Sequence, residues 1–420
     1  GVMTSIVTSS NQARWTLRDL GLLAALLALL APHMCGYLSW ANDNGSLPLK
    51  PRDLTVVCCG AAIFFIATSR TSWCLPAMAL LSLPVIRVMD AGFLERFTQT
   101  MWGDHPTYVM QLAANALVAA VIAASLATPK GMQIGVIISV VTILLCTASN
   151  LYEWLGMAIY TRIPGRVSGW LVDPNASPIV MCLLLGIVLT HSQRFWWNVL
   201  LLGISAVGVS LPLSRSGAII FWIMAISYVL VNFRAHKTGL IAIIAVAIPV
   251  GGIGLAVLSE SAERRGTVRD ENAQSRVQAL YELDFEKLWS GERAKDLLDG
   301  WEAAMQKPVF GHGTGAGNTQ WQPHNQFVAI WDDLGIGGVL LYAGLLIYLS
   351  VMCAKVGGRG FACLIPLWGY IPFSQVLMET SAYWYCATVC ACAVSARRYG
   401  IALLGSRQKP VNNSTSGVYA

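Results

Sequence analysis

The chain has 420 residues, of which 55% are hydrophobic and only 12% charged, with a formal net charge of +6. Soluble domains carry charge at about 25% of positions, so these values exclude a water-soluble protein as the main body and make lipid its bulk solvent. Membrane lipids are therefore expected neighbours, and no nucleic-acid partner is expected.

Apolar runs long enough to cross a bilayer, which takes about 20 residues of helix, recur from Leu20 almost to the C-terminus. The first, over residues 20–40, is long and lacks a convincing small-residue cleavage site, so it reads as a membrane helix and not as a cleavable signal peptide. Further helices are expected near residues 54–69, 72–89, 109–127, 132–149, 177–191, 196–212, 216–233, 239–258, 325–352, 360–377 and 380–396. The fold class is thus all-α, a polytopic membrane protein with about 12 transmembrane helices. Residues 1–258 hold the first nine, 259–323 form one long polar loop, 324–396 hold the last three, and 397–420 form a tail.

When alternate loops are assigned to opposite sides, one side collects Arg14, Arg18, Arg70, Lys130, Arg194, Arg234, Lys237, Lys355, Arg359, Arg397, Arg398, Arg407 and Lys409, with Asp19 as its only acid. The positive-inside rule makes that side cytoplasmic. Both termini then lie inside, and the acids from Asp43 to Glu379 lie on or near the far side. The polar loop faces outward. Its stretch from Arg276 to Met305 is rich in helix formers interspersed with Val277, Leu280, Leu283, Leu288, Leu297, Leu298 and Trp301, which suits amphipathic helices on the membrane surface.

The eleven cysteines all sit in or beside apolar runs, and none falls in the polar loop. They read as small buried hydrophobes, and no metal site is expected from them. Many of the fifteen tryptophans lie near predicted helix ends, where interfacial anchoring accounts for them.

Charged or titratable residues at the mouth of a membrane helix point to function. Arg215 lies in a very short outward turn, Leu213-Ser214-Arg215-Ser216-Gly217, between two apolar runs, with a snorkelling arginine that reaches the interface as the competing reading. The outer loop carries Arg264, Arg265, Arg269, Arg276 and Arg293, whose guanidinium groups suit a diphosphate clamp, interleaved with acids that make a solvated mixed-charge surface the competing reading. His324, in Pro323-His324-Asn325-Gln326, stands where the loop re-enters the membrane, as either a general base or a hydrogen-bonded interfacial residue. Gly335 follows eleven residues later, about three helical turns, which predicts that His324, Trp331 and Gly335 share one face and that another backbone approaches at the glycine. His312, in the glycine-rich turn, is a weaker candidate. Asp332 and Asp333 fall on other faces and call for partners on other helices, and Glu379 lies at an outward turn within reach of the same cavity.

Taken together, these segments resemble the bacterial O-antigen ligases and, more broadly, the superfamily of O-antigen ligases and polymerases among the GT-C-type membrane glycosyltransferases. The resemblance rests on the helix count, the long outer loop before the last three helices, and the motifs. These are an arginine in a short outward turn (Arg215), an arginine followed four residues later by leucine (Arg276 to Leu280 or Arg293 to Leu297), and a histidine followed by ten residues and a glycine (His324 to Gly335). Of the two arginine–leucine pairs, the distance to the histidine favours Arg276. The Phe310-Gly311-His312-Gly313-Thr314-Gly315 stretch and Leu334-Gly335-Ile336-Gly337-Gly338 strengthen it.

The resemblance implies a glycan donor linked to undecaprenyl diphosphate, a lipid A-core oligosaccharide as acceptor, and transfer at the periplasmic face of the bacterial inner membrane. In that reading His324 is the base, Arg215 and Arg276 hold the diphosphate with Arg265 and Arg293 in reserve, and Gly335, Glu379 and His312 support them. No Asp-x-Asp motif is present, so charge neutralisation falls to arginine, no cofactor is expected, and a single displacement would invert the anomeric centre. Within the superfamily an O-antigen polymerase or a protein O-oligosaccharyltransferase stays open, the modest loop leaning towards the ligase. From another class, a lipid or glycan transporter would place its polar groups near mid-membrane and show two related halves.

Overall fold

The computed structural model describes residues 15–46, 74–92, 94, 129–163, 166–192, 194–233, 236–237, 291–318, 322–356, 358–375, 377 and 380–398. These residues are all-helical, with no extended strand among them. In chain order the helices are α1 (Leu17–Met34), α2 (Tyr37–Asp43), α3 (Cys74–Gly92), α4 (Pro129–Trp154), α5 (Ala176–His191), α6 (Phe195–Ser210), α7 (Arg215–Asn232), α8 (Gly291–Gln306), α9 (Gln326–Val356), α10 (Phe361–Gly369) and α11 (Ser381–Arg398). Three of the expected spans, 54–69, 109–127 and 239–258, lie outside the described residues.

The centre of the bundle is α5. It is apolar all round and buried from Ser177 to His191, because α4, α6, α7, α10 and α11 all pack against it. A helix without a polar face is stable only when protein or lipid surrounds it. By contrast α6 and α7 leave Trp196, Trp197, Leu200, Trp222, Ile226 and Leu230 exposed, an apolar outer surface suited to lipid. Among the described residues, Lys130–Trp154, Arg215–Asn232 and Gln326–Lys355 are long and apolar enough to cross a membrane.

Two expected helices are interrupted. The run expected over 360–377 stops as a helix at Gly369, and a short 3-10 turn, Ile371–Phe373, follows. Pro372 has no N–H to continue the α-helical ladder. The nine residues of α10 span about 13 Å, too little for a bilayer core of about 30 Å. The helix expected over 325–352 does form, but it breaks at Gly335, whose backbone is not helical (φ 67°, ψ −166°).

Polar side chains fasten the two ends of the bundle. At one end Asn150 donates from Nδ2 to Ser177 Oγ and to the Gly208 carbonyl, both at 2.9 Å, tying α4, α5 and α6 together. At the other, Arg359 donates from Nη1 to the Ser192 carbonyl and from Nη2 to Asn232 Oδ1, each at 3.1 Å. Arg359 directly follows α9, and Asn232 closes α7. Both helices therefore finish at the Arg359 end and run towards it from Arg215 and from Gln326. The path of α10 agrees, since it leaves Arg359 and brings Gly369 against Ile220, near the start of α7. Lys130, which pairs with Asp19, stands at the Arg359 end, one length of α4 from Asn150.

Candidate functional site

The region that follows His324 is organised around the break in α9. In an unbroken helix the Asp332 carbonyl would accept from the Ile336 N–H, four residues on. At the break Ile336 donates to the Pro308 carbonyl instead (2.9 Å), while the Asp332 and Asp333 carbonyls accept from the N–H groups of His312 (2.6 Å) and Gly313 (3.0 Å). The glycine-rich turn thus supplies the partners that the helix gives up, as buried backbone requires. Only glycine fits at 335. Its φ is positive, and a Cβ there would collide with the Val309 carbonyl.

The same turn is held by carboxylates. Asp333 Oδ1 accepts from the N–H groups of Gly315 (3.1 Å) and Gly317 (3.0 Å). Its Oδ2 pairs with Arg87 Nη2 of α3 at 3.0 Å, and both side chains are only 4% exposed. One turn after Arg87, Asp90 Oδ2 accepts from Thr314 N (2.8 Å) and Thr314 Oγ1 (2.9 Å). A charge buried this deeply persists only when paired and hydrogen-bonded, and here the pairing joins α3, the turn and α9. Asp332 is fully buried and meets His312, with Oδ1 and Nδ1 2.7 Å apart.

His324 stands just outside α9, with Asn325 between it and the first turn. Asn325 Oδ1 caps that turn by accepting from Phe327 N (2.9 Å) and Val328 N (3.3 Å). His324 has a positive φ (48°), as does Gln322 (40°). Such strain in residues other than glycine tends to gather at functional sites. The His324 ring is partly exposed, and its Nε2 lies 3.7 Å from Asp296 Oδ2 of α8. The predicted shared face of His324, Trp331 and Gly335 is not observed, because His324 precedes the helix and Gly335 interrupts it. Trp331 instead packs edge-on against Trp301 of α8 at a centroid distance of 4.8 Å and donates from Nε1 to the Pro308 carbonyl (3.0 Å).

Arg215 is the first residue of α7, half-buried, behind Ser214 as the N-cap. The preceding Leu213 also has a positive φ (53°). This turn rests on Arg166, a buried residue that donates from Nε to the Pro212 carbonyl (3.1 Å) and from Nη2 to Asn175 Oδ1 (3.3 Å). The loop that carries Arg166 is in turn gathered by Glu153, whose carboxylate accepts from the N–H groups of Tyr160, Thr161, Ser168 and Gly169 at 2.7–2.8 Å.

Arg293 lies in the first turn of α8, one turn before Asp296. Arg265, Arg276 and Glu379 lie outside the described residues. Sequence reasoning passed over Arg87, Asp90, Glu153 and Arg166. A signal was available for the first, since Arg87 falls within the apolar run 72–89, where a charge needs a partner.

Residues 199–343 match the family model described as O-antigen ligase. The matched stretch includes Arg215, Arg293, His312, His324, both aspartates of the break and Gly335. No curated protein matches the chain.

Proposed function

We propose, from the O-antigen ligase match over residues 199–343, that this protein is a membrane glycosyltransferase that moves a glycan from undecaprenyl diphosphate to a sugar hydroxyl of lipid A-core. The observation that supports the reading is that the matched stretch holds both Arg215, the first residue of α7, and His324, just ahead of α9. In the proposed orientation Arg215 and His324 face the periplasm, the basic Arg359 end and both termini face the cytoplasm, and the membrane is the bacterial inner membrane. The loop that carries α8 is assigned to the periplasmic face too, and the exposed Leu298, Trp301 and Met305 of α8 form an apolar stripe suited to the membrane surface.

A diphosphate is an activated leaving group. The protein's tasks are to neutralise its growing charge and to take a proton from the acceptor hydroxyl. Arg215 suits the first task with a charge that is never lost. Arg293 joins it, supported by its place on the helix that meets His324, and Arg276 and Arg265 are proposed as further donors. His324 is the proposed base, with the Asp296 carboxylate stabilising the positive charge that forms on the ring when it takes the proton. One displacement inverts the anomeric centre. With guanidinium as the charge neutraliser, no divalent cation enters the reaction. Gly335 and His312 serve by holding the turn, and Glu379 is assigned to the same mouth.

Reconstitution with undecaprenyl-diphosphate glycan and lipid A-core tests this reading. The expected product is a ladder of modified lipid A-core, formed equally with chelator or with magnesium. Elongation of the polyprenyl-linked glycan would assign a polymerase, glycan on protein an oligosaccharyltransferase, and movement of lipid without transfer a transporter. Activity abolished by chelator and restored by magnesium would overturn the arginine-only mechanism.

A further inference from the structure

At the Arg359 end, away from the proposed reaction, three helices bring thiols to one point. The Sγ atoms of Cys363 on α10 and of Cys386 and Cys390 on α11 all lie within 4.8 Å of one another. Cys353, near the end of α9, faces Cys363 and Cys390. All four are free and buried. Cys386 and Cys390 are four residues apart, the spacing that places two ligands on one helical face. Cys353 and Cys363 flank the α9–α10 connection, where Gly360 packs directly on the Cys353 carbonyl.

We propose that Cys353, Cys363, Cys386 and Cys390 form a closed site for one thiophilic d10 cation, Zn2+ or Cu+. Four sulfurs around a tetrahedral ion with metal–sulfur bonds of about 2.3 Å stand about 3.8 Å apart, so Cys363, Cys386 and Cys390 need approach by about 1 Å at most, and Cys353, outside that group of three, has to move further to complete the set. Small buried apolar residues would fill the same space, but filling space does not require sulfur from three helices at one point. The rim is suited to a metal thiolate. Thr190 Oγ1 lies 3.2 Å from Cys363 Sγ and 3.0 Å from the Arg359 carbonyl, so its proton can turn to the sulfur once the thiol proton has left. Binding releases thiol protons to solvent. A fully protein-ligated site is structural, and this one clamps the ends of α9, α10 and α11. It departs from the sequence expectation of no metal site because the four cysteines are spread over three helices.

The test uses the full chain purified in detergent under reducing conditions without chelator. Elemental analysis is expected to find about one zinc or copper per chain. Protein stripped of metal should take up one equivalent of added Zn2+ or Cu+, the two arms identifying the ion, and Co2+ should give thiolate-to-metal charge-transfer absorption. Cys386→Ala and Cys390→Ala should each weaken retention by about tenfold or more. Cys182→Ala, buried in α5 outside the cluster, should retain metal fully. If the cluster variants fail to fold, the wild-type uptake and Co2+ spectrum still decide. Wild-type protein that holds no metal and takes up neither ion, retention indifferent to Cys386 and Cys390, or a disulfide within the cluster would overturn the proposal.

Discussion

Two imidazoles stand at the same end of the bundle, and their surroundings give them different work. His312 is pinned to Asp332 and gives its backbone N–H to the break in α9. His324 is strained and partly exposed, with Asp296 Oδ2 3.7 Å from its ring, and it is the proposed base. His324→Ala is therefore expected to fold and to bind the lipid donor as the wild type does, while losing about 10²–10⁴-fold in transfer, the usual worth of a general base. Transfer at near wild-type rate by the purified variant would remove His324 as the base. For Arg87 the expectation concerns stability. Arg87→Met leaves the Asp333 carboxylate buried without its partner, at a cost of about 3–5 kcal/mol. Pairing it with Asp333→Asn, which keeps an acceptor for Gly315 and Gly317, should recover part of the loss in thermal unfolding measured in detergent.

At the scale of the element, the break in α9 is a junction where helix hydrogen bonds are exchanged for bonds to the 308–313 segment. Gly335→Ala must place a Cβ on the Val309 carbonyl at a positive φ, so the two segments have to separate. A loss above about 1 kcal/mol is expected, together with faster amide exchange at His312, Gly313 and Ile336. Unchanged exchange at those amides would show that the junction tolerates a side chain. The eleven-residue spacing from His324 to Gly335 was legible in the sequence, but its meaning was not. Helical periodicity read it as three turns of one face, whereas the structure makes it the distance from the start of a helix to its interruption. Nothing local distinguishes Gly335 from Gly337 or Gly338. The approach of Val309, a distant segment, selects it.

For the whole molecule, the common finish of α7 and α9 at Arg359 sets which loops share a side. A membrane-impermeant thiol reagent added to intact inner-membrane vesicles of known orientation is expected to modify Asp299→Cys only from the periplasmic face and Lys237→Cys only from the cytoplasmic face. Labelling of both from one face would overturn the proposed orientation.

Composition and the recurrence of long apolar runs by themselves pointed to a helical protein of the membrane, which the described residues bear out, and motif order pointed to Arg215, His324 and the O-antigen ligase family. Those features are local, because a bilayer imposes length and hydrophobicity on each helix separately and a short turn announces its arginine. Only the tertiary structure decided that Arg87 and Asp90 grip the turn, that Glu153 and Arg166 support the Arg215 loop, and that cysteines of three helices meet. Such contacts depend on which helices become neighbours, and no residue records that choice in its own surroundings along the chain.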